Sequence, residues 1–189
     1  MSPSGKIKET PSPGMGGFMR PDEILKNFDI KLGMKIADFG CGAGYFTIPL
    51  AKHVGKEGIV YAIDVLQTAL ESVEGRARMY SLLNIETIRA NLEKEHGSTL
   101  DDASVEMVIL SNVLFQSKLK EDILKEAKRV LKKTGKIVVI EWNDDAILGP
   151  NVAYRILKEQ LKKLVKEVGF VLEKEFQAGD SHYGLVFSL

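Results

Sequence analysis

The sequence has one cysteine, one tryptophan and no surplus of charge of either sign. A lone thiol, Cys41, excludes an internal disulfide and any zinc site built on several cysteines. The 189 residues carry 26 basic and 26 acidic side chains. A chain that lives on phosphates usually shows a basic excess, so nucleic acid is disfavoured as an obligate partner. No run approaches the roughly 20 apolar residues of a membrane span. Residues 1–17 hold proline, glycine and serine in place of an apolar signal core. The expectation is a cytoplasmic chain with a flexible arm over residues 1–19 and one domain over 20–189.

What is present suffices for a core: 44% of the residues are hydrophobic and 28% charged. Pro21, Asp22 and Glu23 open a short helix. Strands are expected at 35–39, 58–63, 85–89, 105–110 and 137–140, with two more at 170–176 and 183–187. Helices are expected between them, at 67–82, 118–131 and 152–168. The segment 118–131 puts Leu119, Ile123, Leu124, Ala127, Val130 and Leu131 on one stripe, closed by Lys132, Lys133 and Gly135. Val152, Ile156, Leu161, Leu164, Val165 and Val168 form the apolar face of 152–168. Strands separated by helices imply right-handed parallel crossovers. The expected fold is therefore α/β: a doubly wound, mostly parallel seven-stranded sheet with an antiparallel C-terminal hairpin.

In such sheets ligands bind at the carboxyl ends of the strands. The first strand ends in Asp38-Phe39-Gly40-Cys41-Gly42-Ala43-Gly44, a turn whose glycines let backbone approach a ligand. The dinucleotide pattern G-x-G-x-x-G fails, since the last position falls on Tyr45 or Thr47. An acid two residues before the first glycine would repel a pyrophosphate and suit a cationic ligand. Cys41 has no neighbouring base and reads as a small packed residue.

These residues resemble the class I S-adenosylmethionine-dependent methyltransferases, closest to the ubiquinone/menaquinone-biosynthesis type. The resemblance covers roughly residues 20–175 and implies a Rossmann-like fold with S-adenosylmethionine as cofactor. It assigns Gly40, Gly42 and Gly44 to the cofactor loop and Asp38 to the cofactor's amino end. Asp64, at the end of the second strand, is implied to hold the ribose, and Val65 to pack on adenine. Asn91, with Leu92, corresponds to the residue that bonds the adenine amino group; the family more often has Asp there. Ser111 and Asn112 fall where the family lines the methionine end. Plainer readings stand beside these: a helix N-cap for Asp64, a turn residue for Asn91 and a loop-ordering carboxylate for Asp38.

The acceptor is not legible, beyond being a small molecule. There is no N/D-P-P-Y segment after the fourth strand, which disfavours nucleobase amines. Candidate catalytic residues are Glu141 and His182, expected to lie together with the carboxylate raising the histidine pKa. Asn112, Trp142 and Tyr183 are candidates for acceptor binding, and Asp144 and Asp145 follow in the loop. No cluster has metal-ligand spacing, so no metal is expected. A catalytically silent cofactor-binding module and, less well supported, a nicotinamide-dependent oxidoreductase remain as alternatives. Nothing fixes the oligomeric state.

Overall fold

The computed structural model describes residues 19–189, so all of the expected arm except Met19 lies outside the described residues. Five parallel strands form the body of one sheet: β1 (Lys35–Phe39), β2 (Ile59–Asp64), β3 (Ile85–Arg89), β4 (Val105–Ser111) and β5 (Leu131–Trp142). The chain ends in β6 (Val171–Gln177) and β7 (His182–Ser188), and β7 inserts antiparallel between β5 and β6. The order is β3-β2-β1-β4-β5-β7-β6. The chain winds outward from β1 to β3, then returns to lay β4 on the other side of β1. That reversal opens a crevice above the carboxyl ends of β1 and β4.

Among the described residues, five α-helices cover both faces: α1 (Pro21–Leu25), α2 (Thr47–Val54), α3 (Gln67–Met79), α4 (Lys120–Val130) and α5 (Lys158–Glu167). Ile24, Leu25, Leu50 and Val54 pack on Ile36, Val60, Val138 and Ile140. Leu70 and Val73 of α3 extend this layer over Ala62. On the opposite face Leu124, Ala127, Val130, Leu161 and Val165 pack against Val108, Leu110, Ile137, Val139 and Leu185. Period-2 alternation sorts each strand between these two layers, which is what makes the doubly wound arrangement the stable one.

Two expected boundaries are corrected. The helix α4 ends at Val130, and Lys132, Lys133 and Gly135, expected to cap it, belong to β5. Leu131 already pairs with Val105, and Glu106 on β4 draws in the Lys132 ammonium, so ladder pairing begins there. The expected helix at 152–168 is broken. Residues Val152–Tyr154 form one 3-10 turn, ordered by the Asn151 side chain accepting from the Ala153 amide at 2.9 Å. Arg155 is extended, α5 starts at Lys158, and Val152 is 58% exposed and lies outside the core.

Candidate functional site

The loops after β1, β2, β3, β4 and β5, with the start of β7, enclose a cleft of about 1410 Å³ at the β1/β4 switch point. Asp38, Gly40, Gly42, Asp64, Val65, Asn91, Leu92, Ser111, Asn112, Trp142 and His182 all line it. Six segments far apart in sequence thus meet at one cleft, whereas Gly44, Glu141 and Tyr183 do not line it.

The glycine loop is fitted to its neighbours. The Gly40 amide donates to the Ile63 carbonyl at 2.8 Å, and a Cβ at Gly40 would stand 2.5 Å from Cγ2 of Val113. Gly42 has φ +51°, and a Cβ there would meet nothing within 4 Å. Its amide donates to Oδ2 of Asp64 at 2.9 Å, while Oδ1 of Asp64 accepts from the Leu66 amide at 3.0 Å. Asp64 therefore orders two turns and still faces the cleft; it is not the N-cap of α3, which is Leu66. Gly44 is placed differently from its two neighbours. It is absent from the cleft wall, and its Cα faces Cγ2 of Val73, 3.0 Å from where a Cβ would be. It serves the contact between the loop and α3.

Asp38 is buried, and Thr47 Oγ1 donates to its Oδ2 at 2.6 Å. Burial, aided by the Asp64 charge, pushes its carboxyl up to about 6. Such a carboxylate is primed for a cation. Cys41 is buried against Ala62, Leu70 and Val73, and burial pushes its thiol up, so the packed reading stands. Asn91 accepts from the Glu93 amide at 2.9 Å, so it orders a turn while its residue borders the cleft.

At the other end, Asn112 Nδ2 lies 3.1 Å from Nε2 of His182, and the Trp142 ring leans on the imidazole at 3.9 Å between centroids. Asn112 Oδ1 and Trp142 Nε1 are buried without a hydrogen-bond partner among the described residues. Burial, together with the Arg155 charge, lowers His182 to about 4, so it is neutral at pH 7.

The expected Glu141–His182 pair does not form. In the β5/β7 ladder Glu141 stands opposite Tyr183, and Trp142 opposite His182. Alternation therefore sends Glu141 to the α4/α5 face and His182 to the cleft, and the histidine pKa moves down instead of up. Glu141 is fully buried and outside the cleft wall. Tyr183 shares its face: its buried hydroxyl donates to the Ile156 carbonyl at 2.7 Å, so it braces the fold behind the site. Sequence reasoning missed Met19, Phe46, Gln116, Ile147 and Leu148, which also line the cleft. It missed Arg155 as well, whose guanidinium donates to the carbonyls of Asn143, Asp144, Ala146, Leu148 and Pro150 at 2.8–3.2 Å. No local pattern marks such residues, because their roles come from loop geometry.

A family described as a methyltransferase domain matches residues 30–180. This chain belongs to that family. Among curated proteins, the demethylmenaquinone methyltransferase of Geobacillus sp. (strain WCH70) is 28% identical over 132 residues, which is 68% of this chain and 53% of that protein. The Bacillus subtilis (strain 168) demethylmenaquinone methyltransferase is 28% identical over 133 residues, 70% of this chain and 56% of that protein. The chain spans about half the length of the curated relatives it matches. Among solved structures, a SAM-dependent methyltransferase from Aquifex aeolicus matches with a TM-score of 0.82 at 25% identity, covering 89% of each chain. The family and this match agree with the Rossmann-like reading of the glycine loop.

Proposed function

We propose that this methyltransferase-domain chain transfers the methyl group of S-adenosylmethionine to a small-molecule acceptor in the cytoplasm. One observation carries the reading: the glycine loop, Asp64 and buried Asp38 converge on a single cleft at the switch point of the sheet. The residues fit that cofactor. The open position at Gly42 leaves room for a nucleoside, and the raised carboxyl of Asp38 gains from a neighbouring ammonium. Asp64 then holds the ribose hydroxyls, Val65 and Leu92 flank adenine, Asn91 meets its amino group and Ser111 borders the methionine end. When bound, the cofactor supplies a methyl group already activated by its sulfonium.

The chain's task is to align an acceptor and exclude water, which can lower the barrier by several kcal/mol on the effective-molarity scale. A cleft of about 1410 Å³ exceeds the roughly 300–1,000 Å³ of a typical single-ligand pocket, which leaves room for an acceptor beside the cofactor. The acceptor is a quinone-type ring, as the names of the curated relatives suggest. Trp142, Asn112 and His182 border the cleft at the end away from the glycine loop, and Gln116, Ile147 and Leu148 add polar and apolar wall for a ring to lie against. Burial first and the Arg155 charge second keep His182 neutral, and that charge also favours an acidic hydroxyl on the ring, since its anion gains from the same field.

Calorimetry with S-adenosylhomocysteine, followed by transfer of labelled methyl to hydroquinones, tests both halves. Binding without transfer to any ring acceptor would leave a silent cofactor-binding module. Binding of NADH in place of S-adenosylhomocysteine would overturn the reading.

A further inference from the structure

Glu141 is an unusual residue for the interior: a carboxylate with no solvent exposure, on the sheet face away from the cleft. It is not idle. Its Oε1 accepts from the Phe115 amide at 3.2 Å, and the Leu114 amide also favours its charged form. Those amides open the 3-10 turn Leu114–Gln116, which follows directly on β4. A turn of this kind leaves its first amides without partners, and a buried orphan amide is costly. No cap comes from the turn's own N-cap, Val113.

The turn in question is a wall of the functional cleft. Asn112, Val113, Gln116 and Ser117 all line it. Asn112 enters the turn in a left-handed conformation, φ +58°, with its amide bonded to the Ile140 carbonyl at 2.9 Å. Gln116 donates back to the Asn112 carbonyl at 2.6 Å, and Val113 packs on Gly40 of the glycine loop. A shift of the turn therefore moves the Asn112 amide beside His182 and the contact that seats the glycine loop.

We infer that Glu141 is a positioning residue: from behind the sheet it caps the turn after β4 and so sets the wall of the cleft against which cofactor and acceptor are held. The effect on ligands rests on the function proposed above; the effect on the turn does not. Burial pushes the Glu141 carboxyl up to about 7, opposed by the Phe115 and Leu114 amides and by the Lys120 charge on α4. Tyr183 on β7 faces it, and Asp144 acts with it on that phenol. Protonation near neutral pH replaces a charged acceptor by a weaker neutral one, so the cap loosens as pH falls through 7.

The test uses Glu141→Leu and Glu141→Gln in the otherwise intact protein, without ligand first. In Glu141→Leu the amides of residues 113–117 should exchange with deuterium about tenfold faster or more, while Glu141→Gln, which keeps a neutral acceptor oxygen, falls between it and the parent. Unchanged exchange in a folded Glu141→Leu protein overturns the inference, whether or not the chain binds any cofactor. Affinity for S-adenosylhomocysteine should fall about tenfold in Glu141→Leu and be partly restored in Glu141→Gln. If Glu141→Leu does not fold, the pH dependence of exchange in 113–117 decides. The parent should show extra acceleration between pH 8 and about 6 relative to Glu141→Gln, beyond the intrinsic change of exchange chemistry, and identical profiles overturn the assignment.

Discussion

The Gly42 amide and the Asp64 carboxylate are bonded at 2.9 Å, so the acid that closes β2 also holds the loop that follows β1. One side chain thus orders the loop and faces the cleft. Asp64→Ala should weaken S-adenosylhomocysteine binding by roughly tenfold to a few hundredfold, since a hydrogen bond to a charged group contributes about 1.5–3 kcal/mol. Asp64→Asn keeps only one acceptor oxygen and should fall between. Circular dichroism should show both variants folded. Parent-like affinity in a folded Asp64→Ala protein would misplace the cofactor.

Asp38 gives a pH dependence with a definite sign. Its carboxyl is raised from 3.8 to about 6, so its contribution to folded stability is full below 3.8 and is lost as pH rises through 6. Asp38→Asn, which can still accept from Thr47, should therefore melt higher than the parent above pH 6 when no ligand is bound. A ligand ammonium reverses the preference, because it favours the carboxylate. Affinity for S-adenosylhomocysteine should rise with pH through about 6 in the parent and lose that step in Asp38→Asn.

The loop glycines separate by what stands opposite them. Gly42→Ala places its methyl in open cleft space, at a left-handed φ of +51° that costs an ordinary residue about 1–2 kcal/mol. It should fold with a modestly lower melting point and bind cofactor poorly. Gly44→Ala meets Val73 and lies outside the cleft wall, so its loss should appear in melting before it appears in affinity. Equal effects of the two substitutions on binding would contradict this division.

The strand–glycine–helix start was legible because an apolar run, a turn and an acid stand together in one short window around Asp38. Asp64 was legible as a strand end and Asn91 as a turn residue after the third strand, but the helix N-cap also read for Asp64 falls on Leu66. The face on which Glu141 and His182 lie was not legible. It depends on the register of β7 against β5, and a slip of one residue exchanges the faces. Helical period alone joined Val152 to Leu161, because it takes no account of Asn151 ordering a 3-10 turn or of Arg155 leaving the helix to hold carbonyls. The resemblance supplied what periodicity does not, namely which strand ends line one cleft.

Arg155 should matter to the acceptor end more than to the cofactor. Its guanidinium gathers carbonyls from Asn143 to Pro150, and Gly149 in that loop lies against the Trp142 ring. Lysine has neither the planar fork nor enough donors to replace it. Arg155→Lys should lower kcat/KM for the acceptor by roughly ten- to a hundredfold, the scale of a loop misplaced by about 1 Å. S-adenosylhomocysteine affinity, measured by calorimetry on the same protein, should stay near the parent value. A loss confined to the cofactor would place Arg155 wrongly.

His182 tests whether the buried end of the cleft works with a neutral imidazole. Its pKa is lowered from 6.5 to about 4 by burial first and by Arg155 second. A depressed histidine contributes stability that is full above 6.5 and is lost as pH falls through 4. The parent should therefore lose melting temperature between pH 6.5 and 4 by an amount that His182→Asn does not. Above pH 6.5 the ionisation difference vanishes, and what remains is lost packing on Trp142 and the contact with Asn112. Arg155→Lys keeps a cation but lets it move, so it should bring the His182 pKa back toward 6.5 if that charge contributes as placed. Titration of the imidazole by NMR reads this directly, in the absence of any ligand. An imidazole that titrates near 6.5 in the parent would mean that the Trp142–His182–Asn112 cluster is open to water. The acceptor would then have to be placed elsewhere in the cleft.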